Sequence, residues 1–422
     1  MLVEILLTLI TLVLIIIYSS WILLIVLPRK KGLRKKFFPP ISVVIPAHNE
    51  EENIEATLES VLNAEYPNEK EVIVVDDGSK DRTAEIAKKI ARKNPMVKLI
   101  KGRHQGKAKA LNLGLKIAKN EIIVALDADT KIERDALMKI VQPLGEKKVG
   151  AVASVLRAQR SRKFLTWLQA FDYAIISGWK SICEKANGLC ILPGFCAFRK
   201  SAIEKIGGFK GDTPVEDYDI CFYLRKAGFE IRMADAVAYT RVPETIRGWL
   251  RQRVRWIRGT LQVVKKHYKF LFSRKHIGVG FFSVPTQLYW YFHSFLYLPL
   301  VLYQILSGYF NYFLAYGNVI SLEVFKYFFN WFTVFGMVEL IYKTLIGAYA
   351  LTPLLLLTIV VFILSLCFNF YSLFRFSEFN IYNLIAFIFF FPYVLIILFA
   401  YWIGTLLEFY ERRNFSKWEK CK

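Results

Sequence analysis

Residues 121–129 read Glu-Ile-Ile-Val-Ala-Leu-Asp127-Ala128-Asp129, a short apolar run closed by two carboxylates that straddle one small residue. A run this short, bounded by charge, predicts a strand. If strand geometry continues past Leu126, alternation points Asp127 and Asp129 the same way, so both can reach one cation. Alone, such a pair is an ordinary turn closing a strand; its neighbours decide what it means. Residues 41–47 form a second apolar run, followed by Asn49 as a helix N-cap and by Ile54, Leu58, Val61 and Leu62 at helical spacing. The pattern recurs with 71–75 before 82–91, 97–100 before 107–118, and 121–126 before 134–141. Repeated strand and helix units predict an α/β fold with a doubly wound, mainly parallel sheet, whose ligands bind beyond the carboxyl ends of the strands. Those ends are acidic here: Asn49-Glu50, Asp76-Asp77, and Asp127 with Asp129.

The sheet accounts for only the middle of the chain. Of 422 residues, 55% are hydrophobic and 16% aromatic, and the mean hydropathy of +0.33 is too high for an ordinary soluble domain. Residues 5–27 carry no charge; as a helix they would span roughly 34 Å, against about 30 Å of hydrocarbon. Glu4 before this stretch and Pro28-Arg29-Lys30 after it argue for an anchor rather than a cleaved signal peptide. The basic residues Arg29, Lys30, Lys31, Arg34, Lys35 and Lys36 place themselves and the chain up to the next span in the cytoplasm by the positive-inside tendency. Residues 277–322, 344–374 and 379–407 contain no Asp, Glu, Lys or Arg. With 327–348, where Glu339 and Lys343 stand at i,i+4 and can pair, they predict four C-terminal spans; Arg412, Arg413, Lys417, Lys420 and Lys422 favour a cytoplasmic end. The expected organisation is an N-terminal transmembrane helix with a basic segment (1–36), a cytoplasmic domain (37–243), an amphipathic interfacial helix (244–276) and a transmembrane bundle with a basic tail (277–422). This describes a multi-pass protein of the cell membrane.

Net charge is +22, so anionic lipid and phosphate are the expected neighbours. Nucleic acid is not, because the juxtamembrane segments account for the charge and no recognition fold is visible. Cys183, Cys190, Cys196, Cys221, Cys367 and Cys421 are scattered, with no C-x-x-C pair and no His at zinc spacing, so neither a disulfide scaffold nor a zinc site is indicated and a reducing compartment fits them. Two phosphate motifs fail. The first strand ends Pro46-Ala47-His48-Asn49-Glu50 with no glycine-rich turn, and the segment 102–108 has one spacer too few for a P-loop and lacks its Ser or Thr. What fits is a metal-bridged diphosphate, with strand-end carboxylates holding Mg²⁺ or Mn²⁺.

Taken in order and spacing, Pro46-Ala47-His48-Asn49-Glu50, Asp76-Asp77-Gly78-Ser79, Asp127-Ala128-Asp129, Glu216-Asp217 and Gln252-Arg253-Val254-Arg255-Trp256 resemble family 2 glycosyltransferases with the GT-A fold. More narrowly they resemble the membrane-embedded processive synthases of the cellulose, chitin, hyaluronan and poly-N-acetylglucosamine type. The resemblance covers about residues 41–260 and implies a UDP-sugar donor, with Asp77 at the uracil, Ala47 and Glu50 near the nucleoside, and Asp76 and Lys107 supporting the pocket. It places Asp127 and Asp129 at the ribose and the metal.

Glu216-Asp217 opens an amphipathic stretch after Pro214. Carboxylates favouring a helix N-terminus would explain the pair without catalysis. The resemblance instead makes Asp217 the general base, within Val-Glu-Asp where the family usually has Thr-Glu-Asp, and such a base is worth roughly 10²–10⁴ in rate. Residues 244–270 carry apolar positions at helical spacing beside Arg247, Arg251, Arg255, Arg258 and Lys265. That pattern predicts a cationic helix on anionic lipid, with most of its arginines at headgroups. Gln252, Arg255 and Trp256 share one face, and the resemblance has it cap the site, Trp256 on the acceptor sugar and Arg255 with Arg253 at the departing diphosphate. Gly194 and Cys196 lie in what resembles the family's acceptor loop, where a glycine permits close approach. His48 and His104 read as loop hydrogen-bonding partners rather than metal ligands. The implied activity is inverting transfer from a UDP-sugar to a growing β-linked polysaccharide, coupled to export and aided by accessory export proteins. A non-processive enzyme acting on a lipid-linked acceptor is the close rival, and a catalytically inactive binding protein a distant one.

Overall fold

The computed structural model describes residues 2–28, 36–317 and 319–410. The basic residues Arg29, Lys30, Lys31, Arg34, Lys35, Arg412, Arg413, Lys417, Lys420 and Lys422, and Cys421, lie outside them. Helix α1 (Leu2–Val26) precedes the sheet domain. There β1 (Ile41–Ala47), α2 (Ile54–Leu62), β2 (Lys70–Asp76), α3 (Thr83–Lys93), β3 (Val97–Lys101), α4 (Lys107–Ile117) and β4 (Ile122–Leu126) alternate as the hydrophobic runs predict. The domain continues with β5 (Thr130–Ile132), α5 (Ala136–Val141), β6 (Val149–Ala158), α6 (Phe164–Lys185), β7 (Phe195–Arg199), α7 (Lys200–Lys205), α8 (Glu216–Lys226) and β8 (Glu230–Thr240). After it come α9 (Ile246–Lys266), α10 (Val284–Tyr316), α11 (Leu322–Phe332), α12 (Val334–Leu345), α13 (Pro353–Phe376), α14 (Ile381–Ile388) and α15 (Phe390–Tyr410).

The eight strands form one sheet in the order β3-β2-β1-β4-β7-β6-β8-β5. β1, β2, β3 and β4 pair in parallel, and β6 pairs in parallel with β8. β7 runs antiparallel to both β4 and β6, so the sheet is mixed at its centre. Every residue of β1 and β4 is buried, as continuous apolar runs require when both faces are covered. One face carries Val44, Val75 and Leu111, the other Val43, Val74 and Leu58. α4 approaches the sheet closely because Gly114 leaves room: a Cβ there would meet Val44 Cγ1 at 2.3 Å.

Three expectations change. Asn49 is not a helix N-cap: it sits at φ 54° in the turn after β1, and α2 begins later, after Asn53. Residues 327–348 are not one continuous span, since α11 and α12 meet at a 100° bend. Gly336 permits that bend, because a Cβ there would lie 2.0 Å from the Asn330 carbonyl oxygen. The expected Glu339–Lys343 pair does form, at 2.7 Å. Finally, not all the arginines of α9 face lipid: Arg258 is buried, with its Nε donating to Glu408 Oε2 at 3.1 Å.

By length and composition α1, α13 and α15 can cross a membrane, and the bent α11–α12 pair passes the same test when taken together. α10 is longer, 33 residues without an Asp, Glu, Lys or Arg. The sheet domain grips the foot of this bundle through α6. Lys185 Nζ donates to the carbonyls of Leu24, Ile25 and Leu27 at 2.9, 2.8 and 2.6 Å, which satisfies the open C-terminus of α1 with a cation at its negative end.

Candidate active site

The site is built where β4 ends beside β7. The Asp127 N–H donates to the Gly194 carbonyl at 2.7 Å, which carries the β4–β7 ladder one bond past the strand and fixes the first carboxylate of the pair. Gly194 leaves room for this carboxylate: a Cβ there would lie 2.4 Å from Asp127 Oδ2 and force it to move. Lys107 opens α4, and its ammonium lies 2.6 Å from Asp127 Oδ1 and 3.1 Å from Glu216 Oε1. Burial alone would lower the lysine, but Asp127, Glu216 and Asp217 hold it well above its usual range. The Asp127 carboxyl is raised, first by burial and then by Asp129, against the pull of Lys107. Asp129 Oδ1 accepts from the Thr130 and Thr240 hydroxyls at 3.1 and 3.4 Å.

Glu216 and Asp217 form the first turn of α8, so the helix-terminus account of these residues holds geometrically. It is not the whole account. Asp217 Oδ1 accepts the Tyr218 N–H at 2.8 Å, yet burial, reinforced by Glu216, pushes its carboxyl up to about 7, with Lys107 opposing. A carboxylate held near neutrality inside a cleft is poised to take a proton.

α9 crosses over this turn. Arg255 Nη1 donates to the Pro214 carbonyl at 3.1 Å, next to Val215 and Glu216. Gly259 lets the helices touch, since a Cβ there would sit 2.7 Å from Val215 Cγ2. The valine that replaces the family's threonine is therefore a packing surface for α9. Glu50, Lys107, Asp127, Asp129, Gly194, Glu216, Asp217, Gln252, Arg253, Arg255 and Trp256 all border one cavity of about 1960 Å³. The same cavity continues among the helices past Trp290, Tyr297, Gln304, Asn330, Glu339 and Lys343.

Four of the residues singled out by sequence lie behind this wall. Ala47 is fully buried and its carbonyl accepts from the Asp77 N–H at 2.8 Å. Asp76 Oδ1 accepts the Ser79 N–H at 3.2 Å. Asp77 is buried, and its two oxygens accept the N–H groups of Gln105 and Gly106, each at 2.9 Å, so it orders the loop before Lys107. Cys196 is a core residue of β7 paired with Ala125, and burial pushes its thiol well up, leaving it inert. Arg253 borders the cavity but is ion-paired with buried Asp172 at 2.7 Å, and its guanidinium lies over the Trp256 ring at 4.6 Å. His48 and His104 stack with ring centroids 4.1 Å apart. Their Nδ1 atoms face the Asp77 carbonyl at 2.8 and 3.2 Å, and His48, Asp77 and His104 bring ligand-type atoms within 4.8 Å of one another.

Sequence reading passed over Asp172 and Lys180, both buried on α6. Lys180 Nζ donates to the Ser154 carbonyl at 2.9 Å, and burial lowers it to about 7. The signal was present: they are the two charges in an otherwise uncharged stretch, residues 164–183.

Residues 42–207 match the family described as Glycosyl transferase family 2. A poly-beta-1,6-N-acetyl-D-glucosamine synthase of Staphylococcus epidermidis is 35% identical over 243 residues, which is 57% of this chain and 59% of that protein. The protein of that name from Staphylococcus aureus (strain COL) is 31% identical over 278 residues, 64% of this chain and 67% of its own. The match thus spans less than two thirds of the S. epidermidis relative. Among solved structures, the mannosyltransferase PcManGT from Pyrobaculum calidifontis, in complex with GDP-Man and Mn²⁺, superposes with a TM-score of 0.61. It covers 97% of this chain and 99% of that one at 20% identity, a likeness of fold.

Proposed function

The chain belongs to glycosyltransferase family 2, and from that premise we propose an inverting membrane glycosyltransferase that extends a β-linked polysaccharide from a UDP-sugar. The names of the staphylococcal relatives support N-acetylglucosamine as the sugar. The observation that carries the reading is the convergence of Asp127, Asp129, Asp217, Arg255 and Trp256 on one cavity that continues between the membrane helices.

The donor set suits a hard cation: Asp129 is close enough to raise the Asp127 carboxyl, and one ammonium, Lys107, is shared between Asp127 at 2.6 Å and Glu216 at 3.1 Å, so the carboxylates carry more negative charge than it offsets. Mg²⁺ or Mn²⁺ held by Asp127 and Asp129 would neutralise the donor diphosphate. Asp217 takes the proton from the acceptor hydroxyl as its oxygen attacks the anomeric carbon; the bond to the diphosphate breaks on the opposite face, and configuration inverts. Lys107 bridges Asp127 and Glu216 and so offsets negative charge beside the base. Arg255, tied to the segment before Asp217, offers fixed positive charge to the leaving UDP. Trp256 gives the acceptor sugar a flat apolar face, and Arg253 backs the ring rather than meeting phosphate. The sheet domain is cytoplasmic, where UDP-sugars are made, and the cavity carries the lengthening chain outward, with accessory export proteins as partners on the far side.

The Asp217→Asn variant tests the assignment. It should lose polymer by about 10²–10⁴ while binding UDP-sugar as the parent does. Undiminished synthesis would remove Asp217 from the reaction.

A further inference from the structure

Each helix of the bundle can be placed by what holds its ends. The C-terminus of α1 is capped by Lys185 of the sheet domain. The start of α10 is fixed where Ser283 Oγ donates to the Gly188 carbonyl at 2.6 Å. The end of α13 returns to the same side, with Arg157 Nε donating to the Phe376 carbonyl at 3.0 Å and Arg375 paired with Asp235. α10 therefore leaves the sheet-domain side and α13 comes back to it. A complete crossing by α11–α12 between them would put the end of α13 on the wrong face. With α10, whose 33 residues carry no Asp, Glu, Lys or Arg, taken as the outward crossing, the pair bent by 100° enters and leaves from the far side.

The ends of α15 are held differently from those of a spanning helix. Near its start, the Tyr393 hydroxyl donates to Asp172 Oδ2 at 3.1 Å and accepts from Trp249 Nε1 at 2.8 Å. Near its end, Glu408 Oε2 accepts from Arg258 Nε at 3.1 Å and Gln262 Nε2 at 2.8 Å. In between, Gly404 lies against Ile257. The three contacts follow α9 in order, so the helices run side by side for roughly 20 Å. α9 is itself fastened to the sheet domain at both ends. Gln169 Nε2 donates to the Pro243 carbonyl at 2.7 Å before it, and at its end Lys266 lies 2.7 Å and His267 2.7 Å from Asp219. Both ends of α15 thus lie on the sheet-domain side.

We propose that α15, although long and apolar enough to cross a membrane, does not cross it: α9 and α15 form a two-helix raft lying in the headgroup region of the leaflet that faces the sheet domain. Its occupant is the lipid. Phe399, Leu406, Phe409 and Tyr410 present an exposed apolar face, and residues 390–407 carry no charge, which suits burial at the acyl boundary. The exposed Arg247 and Arg251 at the edge of α9 supply cations for anionic headgroups. The raft holds Trp256 and Arg255 at a fixed height over the sheet domain. On this reading the described chain crosses three times, by α1, by α13 and by α10, which is less apolar than the other two but long and without Asp, Glu, Lys or Arg.

Thiol labelling of the full chain in its native membrane tests this, with Cys367 and Cys421 changed to serine. Phe379→Cys lies before α14 and Tyr410→Cys at the end of α15, both at exposed positions. Tyr349→Cys, in the turn between α12 and α13, reports the far side. A membrane-impermeant maleimide applied to intact cells or inverted vesicles should reach Phe379→Cys and Tyr410→Cys from the same face, and Tyr349→Cys from the other. Labelling of Phe379→Cys and Tyr410→Cys from opposite faces would overturn the proposal. So would a Tyr410→Cys thiol that reacts from neither face until detergent is added, because the helix end would then be inside the hydrocarbon. The readout involves no catalysis and is independent of the enzymatic reading.

Discussion

Asp217 stands where burial and Glu216 raise a carboxyl and Lys107 lowers it, and the balance leaves it at about 7. A base must be ionised to work, so kcat/KM for UDP release should fall as pH drops through about 7, far above the ordinary aspartate range. Removing the cation with Lys107→Met should move that acidic limb to higher pH, since the opposing charge is gone; an unmoved limb would detach Lys107 from the base. Stability runs the other way. A carboxyl whose folded value lies above its unfolded value stabilises the fold fully only below the unfolded value near 3.9, and that contribution is lost as pH rises through about 7. Asp217→Asn should therefore gain melting temperature over the parent at pH 8 relative to pH 5. Gly194→Ala is the steric counterpart: its methyl would meet Asp127 Oδ2 at 2.4 Å, so activity should collapse with little change in the melt of the whole domain.

At the level of elements, the decisive contact is α9 on the first turn of α8. Gly259→Val would overpack it against Val215, at a cost of about 1–3 kcal/mol. The expected signature is a loss of kcat larger than the loss of stability, read by turnover and thermal melts together. α9 is also tied to α6 through the buried Arg253–Asp172 pair. Breaking it with Asp172→Asn or Arg253→Met alone should cost about 3–5 kcal/mol, while the double variant recovers part of the loss. Additive costs would mean that the pair is not coupled. The first four strands and the three helices between them were legible because continuous apolar runs alternate with helical spacing, and three of the four runs, all but β3, are followed by acid. β7 was not, since its antiparallel insertion between β4 and β6 comes from long-range pairing that no local pattern encodes. Asn49 misled because Asn favours N-caps and left-handed turns alike, and only the turn is used here. Arg253 was legible as a cation on the right helix, but its partner Asp172 is 81 positions away in sequence.

Across the whole molecule, the sheet domain and the bundle share one cavity, running from the carboxylates at Asp127 and Asp217 to Glu339 and Lys343 in the bent pair. Such a passage is what the proposed extension and export of a polymer would use. Gln304, Asn330 and Tyr297 along the wall offer hydrogen bonds and an aromatic face of the kind a sugar chain can slide past. The α11–α12 bend borders the route where Asn330 bonds Glu339, and the missing side chain of Gly336 makes room for the Asn330 carbonyl there. Sequence hydropathy could count apolar stretches but not say which of them cross, because crossing is decided by what holds each helix end. The most direct measurement of the central claim is UDP release by the purified, detergent-solubilised full chain given UDP-N-acetylglucosamine and Mn²⁺, with the products sized. A long polymer accompanied by stoichiometric UDP is the expected result. UDP release with only single-sugar products, or no turnover with any UDP-sugar, would contradict it.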